Sequence, residues 1–193
     1  MTWYSFFKFV HVLAVVIWVG GATFVQALSL RVLASTDPRR KAEFAGDAEV
    51  VGMRLFVPAS LVVLLAGIAM MVNAHFDWGQ LWIVFALVVY GFSFATGAGF
   101  LGPESGRIKQ AIETHGADAP IVTERIRRIL VVSRIELVLL FGIVFAMVVK
   151  PTTGDAGTVA GAAAVMAVLI ALNVLDYRRR PKVPDAARAT AVS

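Results

Sequence analysis

A histidine at position 11 sits inside an apolar run, Lys8-Phe9-Val10-His11, that continues through Trp18 to Gly20-Gly21. An imidazole surrounded by hydrocarbon is costly unless it faces protein, water or a ligand, so its chemistry is that of a hydrogen-bonding group, a proton carrier or a metal ligand. Tyr4, Lys8, His11, Val15, Trp18, Ala22 and Ser29 recur at helical spacing, with Gln26 adjoining, and so share one face aimed at neighbouring helices. Counted from Trp3 at 1.5 Å per residue, Lys8 lies about 7 to 8 Å and His11 about 12 Å below the outer boundary. A lysine stem carries its ammonium back to the interface from that depth, whereas an imidazole has no such reach. The plain structural alternative for His11 is a neutral ring bonded to an adjacent helix.

Met70 and Met71 lie just below His75, which follows Asn73 at the outer mouth. With His11 they form a candidate metal set of His11, His75, Met70 and Met71, soft enough for copper as Cu(I), although a methionine pair in a membrane helix also serves packing. A second ionisable group collects toward the other end: Arg54, Arg134, Glu136 and Asp176, with Asn173. Arg134 and Glu136 are two apart, point to different sides of their helix and need separate partners. Glu136 is the only carboxylate well inside a span, and the expectation is a charged group paired with Arg54 or another cation, with proton carriage as the alternative. His115 reads as a solvated loop residue.

Catalytic signatures are lacking. There is no cysteine, which removes disulfides, thiolate catalysis and Cys-ligated zinc or iron–sulfur clusters. The chain has no HExxH, GxxxxGK or GxSxG and no Asp/Glu pair at a shared depth, so no catalytic residue is assigned. Enzymatic activity would require a cofactor to bring the chemistry.

The elements that position these residues follow from hydropathy. Of 193 residues 59% are hydrophobic and 16% charged, and the mean hydropathy of +0.78 exceeds what a soluble core of this length needs. Five segments reach the roughly 20 residues of a spanning helix: 3–28, 53–74, 78–101, 129–149 and 157–177. The expected fold is an all-α polytopic bundle of five transmembrane helices, a single domain over residues 1–180 with a mobile cytoplasmic tail at 181–193. The first run is long and is followed rather than preceded by positive charge, so it reads as a span and not as a cleaved leader.

Arg31, Arg39, Arg40, Lys41 and Arg54 follow span one; Arg107, Lys109, Arg125, Arg127 and Arg128 follow span three; Arg178, Arg179, Arg180, Lys182 and Arg188 end the chain. The second loop has no Lys or Arg and the fourth has Lys150 alone, so the positive-inside rule places the N-terminus outside and the C-terminus in the cytoplasm. Trp3, Tyr4, Trp78 and Trp82 then fall at the outer interface as an aromatic belt. The net charge of +5 is accounted for by these loops, which argues against nucleic acid as a partner.

Asp37-Pro38 reads as a helix start, giving a short helix over 38–51, and 106–115 reads as another between Gly102-Pro103 and Gly116. Pro58 implies a bend in span two. Gly91, Ala95 and Gly99 on span three, and Gly157, Ala160, Gly161 and Ala164 on span five, permit close helix approach, within the bundle or with a second copy or a membrane-complex partner.

With these residues in place the chain resembles known families. KFVHVLAVVIWVGG is similar to the opening of a superfamily that contains the copper-resistance protein D family and the J-type protoporphyrinogen oxidases. Over nearly its whole length the chain resembles a bacterial integral-membrane family catalogued as a domain of unknown function (2269). The matching residues are Lys8, His11, Trp18, Gly20 and Gly21; Arg54, Pro58 and Gly67; Gly102-Pro103; and Met147 to Pro151.

The resemblance implies a multi-pass protein of the bacterial plasma membrane that binds haem b through His11. Trp18 and Gly21 would bound and admit the flat ligand, and Lys8 would meet a propionate. J-type oxidases also use an intramembrane lysine in a later helix; spans two to five here have none, with Lys150 at a boundary. Copper handling or transport at the outer face, and a cofactor-free scaffold subunit, are the alternative readings.

Overall fold

The computed structural model describes residues 2–179 apart from 34 and 36; the tail expected at 181–193 lies outside the described residues. Eight α-helices follow in order: α1 Trp3–Val15, α2 Gly21–Leu33, α3 Pro38–Val51, α4 Val57–Ala74, α5 Leu81–Thr96, α6 Gly102–His115, α7 Pro120–Val149 and α8 Ala156–Arg179. Three wide, π-type turns over Val16–Gly20, Gly52–Phe56 and Gly97–Leu101 join α1 to α2, α3 to α4 and α5 to α6. The result is five rods long and apolar enough to cross a membrane. Among the described residues there is no strand, as a lipid-embedded chain requires when no closed barrel is formed.

The short helix expected at 38–51 is α3. The other boundaries differ instructively. Gly102-Pro103 does not interrupt the chain, because the turn over Gly97–Leu101 carries the helix axis into α6 and the rod runs over Leu81–His115. Pro58 is handled in the same way by the turn over Gly52–Phe56. A proline ring collides with the carbonyl four residues back and supplies no N–H, and widening the preceding turn relieves both. α7 begins nine residues before the apolar stretch expected at Ile129, with Pro120 at its first turn. Its polar start is held by Arg127 against Glu124 at 3.6 Å and by the Tyr177 hydroxyl donating to Glu124 at 2.8 Å.

α1 lies along α4, α5 along α7, and α7 also carries α8. Trp18, Val19, Ala59 and Leu140 form one buried cluster; Met71, Trp82, Ile83 and Ala146 form another nearer the end that bears Thr2, His75 and Lys150. Large apolar side chains such as Phe9, Phe24, Leu65, Val88 and Val165 face outward, where lipid rather than water is their solvent. Trp3 and Trp78 are exposed as a belt requires, whereas Trp82 turns inward and donates its indole N–H to Gln80 at 2.8 Å.

Of the small residues, Gly142 serves close packing, since a Cβ there would strike Met166 of α8. Gly91, Gly99, Gly157 and Gly161 face open space instead, so the expected small-residue faces are not used between helices within this chain. α8 has no buried residue.

Candidate cavity around His11

His11 is positioned by the antiparallel pairing of α1 and α4. Its Nδ1 lies 2.8 Å from the Val63 carbonyl, and since a carbonyl only accepts, Nδ1 carries the proton. In that tautomer the lone pair lies on Nε2, which makes no hydrogen bond among the described residues. The approach depends on Gly67, one turn along α4: a Cβ there would stand 3.3 Å from Cε1 and 3.4 Å from Nδ1 of the ring. A carbonyl that fixes the tautomer and orients the ring is the usual outer partner of a metal-ligating histidine.

The ring lines a cavity of about 370 Å³ between α1, α4, α5 and α7, within the range of roughly 300 to 1,000 Å³ typical of small-molecule sites. Val15, Trp18, Gly67, Ile83, Leu140 and Val144 are among the apolar walls. Trp18 meets Tyr90 edge to face at 5.8 Å. The Tyr90 hydroxyl, on a residue that also lines the wall, donates to the Ser60 carbonyl at 3.2 Å. The lining is otherwise almost wholly apolar.

The remaining candidates separate around this cavity. Trp18, Met70 and Met71 line it with His11. His75 does not: it caps α4 in a left-handed conformation with φ 52° and is exposed. Lys8 is also exposed and off the cavity wall. Gly21 opens space for Phe56 rather than for a ligand, since a Cβ would lie 2.7 Å from the Phe56 ring. No group of three or more His, Cys, Asp or Glu suited to a metal is present among the described residues.

The second polar group is dispersed. Glu136 faces α5, where the Ser93 hydroxyl donates to its carboxyl at 2.5 Å. Arg54 is exposed in the turn that precedes α4 and is not bonded to Glu136, so the expected pair is replaced by a hydroxyl–carboxyl contact between α5 and α7. Arg134 points the other way, to Asp176 of α8 at 4.0 Å. Asn173 donates to the Val131 carbonyl at 3.0 Å, and Ser133 to the Gln26 side chain at 3.0 Å.

Two features escaped the sequence reading. Glu104 is 1% exposed and receives Arg125 at 2.8 Å and Arg107 at 3.3 Å; the acid directly after Gly102-Pro103, in the first turn of a helix, was the available signal. Lys150 caps α7 with φ 51° and lays its Nζ over Phe76 and Trp82, at 5.5 and 5.3 Å from the ring centroids. A lysine where a helix-ending glycine is usual was its signal.

Residues 5–151 match a family model described as "Predicted integral membrane protein (DUF2269)", and the chain belongs to that family. No curated protein and no solved structure matches it.

Proposed function

With membership of that membrane family as the premise, we propose that the protein binds a b-type haem in the cavity between α1, α4, α5 and α7, with His11 as axial ligand through Nε2. The observation that carries this reading is the Nδ1–H to Val63 carbonyl bond at 2.8 Å on a ring that lines an apolar cavity. The donor set fits the group: His is a usual axial ligand for b-type haem, and helix bundles build such sites from inward side chains. Haem held by these residues would supply one-electron or porphyrin-centred chemistry.

The chain's own residues hold the ligand and exclude water. Val63 aims the imidazole, Gly67 leaves room for it, and Trp18 with Tyr90 walls the deep side. Met70 and Met71 share the cavity wall and are the available second ligands; His75 is not. The same His11, Met70 and Met71 favour Cu(I) as the second reading.

Protein expressed with ample haem supply and purified in mild detergent should show a Soret band that His11→Ala removes while helical circular dichroism is kept. Met70→Leu and Met71→Leu should shift the spectrum at most. A colourless wild-type protein that does not take up added haem rejects the proposal; stoichiometric copper in that protein selects the second reading, and its absence leaves a scaffold subunit. An unchanged Soret band in His11→Ala rejects the assignment of the ligand.

A further inference from the structure

We propose that Lys150, seated on Phe76 and Trp82, receives the anionic group of an amphipathic carboxylate whose apolar body occupies the cavity. The proposal rests on reading that cavity as a ligand site, and it moves the anionic anchor from Lys8 to the opposite wall. Phe76 and Trp82 both line the cavity and both support the ammonium, at 5.5 and 5.3 Å, within the roughly 6 Å of a cation–π contact. Met147 and Val148, the lining residues of α7 nearest its end, lead directly to Lys150. The charge therefore stands at the rim of an apolar chamber.

Among the described residues no carboxylate forms an ion pair with the ammonium. Two acidic residues lie in the loops at this end, and both are engaged elsewhere. Asp77 accepts the Gly79 N–H at 2.9 Å, and Asp155 accepts the N–H and the hydroxyl of Thr152, each at 2.8 Å. No ion pair joins Lys150 to any described residue.

The backbone supplies a second argument. Among the described residues Lys150 is one of two non-glycine residues with positive φ, and the other, His75, stands in the facing loop. Glycine takes this conformation without penalty. A lysine held there by its N–H to the Ala146 carbonyl at 2.8 Å fixes where its side chain starts. This left-handed cap sets the ammonium at the end of α7, over Phe76 and Trp82.

The test compares metal-free protoporphyrin IX, which has two propionates, with its dimethyl ester, on wild type, Lys150→Met and Lys150→Arg in lipid nanodiscs, by porphyrin fluorescence. Haem uptake by wild type, His11→Ala and Lys150→Met is measured alongside. Wild type should prefer the diacid by at least about tenfold, the worth of one charge-assisted contact. Lys150→Met should lose that preference while binding the ester as wild type does, and Lys150→Arg should keep it.

A diacid preference that survives in Lys150→Met overturns the proposal, and so does its absence from wild type. If the diacid binds with dependence on Lys150 but haem shows no dependence on His11, the anionic seat stands and the haem-ligand assignment falls. Haem binding that needs His11 but is indifferent to Lys150 has the opposite meaning. Binding of neither porphyrin rejects both.

Discussion

Glu104 offers a perturbation whose size follows from burial. Its carboxylate is 1% exposed, with one oxygen 2.8 Å from Arg125 and the other 3.3 Å from Arg107. The arginines are unequal: the side chain of Arg125 is 32% exposed and that of Arg107 61%. Arg107→Ala removes a largely solvated pair and should cost about 0 to 1 kcal/mol. Arg125→Met strands a sealed carboxylate, which costs about 3 to 5 kcal/mol in general. Arg107 remains within 3.3 Å of that carboxylate, so the loss should fall near the low end, about 3 kcal/mol. Glu104→Leu leaves two cations that can turn toward water and should cost less, about 1 to 3 kcal/mol. The Glu104→Leu/Arg125→Met double variant should be milder than Arg125→Met alone, since no carboxylate is then left buried without its partner. Unfolding by SDS titration in mixed micelles, followed by circular dichroism, measures the four stabilities. The reasoning fails if Arg125→Met is no worse than Arg107→Ala, or if the double variant loses the sum of the two singles.

Two further outcomes are expected. The positive-inside rule predicts Thr153 outside and Lys109 in the cytoplasm, so in intact cells a membrane-impermeant maleimide should label Thr153→Cys and spare Lys109→Cys; the reverse pattern would invert the topology. In the loop before α8, the Thr152 N–H and then its hydroxyl hold the exposed Asp155 carboxyl below the usual carboxylate range. Their contribution to loop stability is full above the unfolded-state pKa and is lost as pH falls through the lower folded-state value. NMR titration should find Asp155 depressed and Thr152→Val partly restoring it, and an Asp155 that titrates normally would remove that cap.

The five rods were legible because a lipid solvent imposes a length and a composition that survive without any partner information. α3 was legible because a capping side chain followed by a proline starts a helix by local rules. The continuity of the rods was not, since Pro58 and Pro103 are ordinary stop signals and only the wide turns before them reveal that the axis runs on. Charge also misled: a carboxylate inside a span invites a cation as its partner, yet Glu136 found Ser93, because α5 rather than the turn bearing Arg54 packs on that face of α7.

The site divides along the same line. His11 and Trp18 were readable because a scarce group at a measurable depth on a helical face has few roles open to it. What completes the site has no scarcity. The Val63 carbonyl is a backbone atom that every residue has, Gly67 contributes a missing Cβ, and Phe76 and Trp82 are two aromatic residues among many. Gly21 shows the converse: the same absent side chain, one helix away, makes room for Phe56 and not for a ligand. A glycine in a membrane helix thus declares that something approaches, and only the register of the facing helix, here α4 against α1, decides whether that neighbour is a packing ring or the imidazole of the cavity.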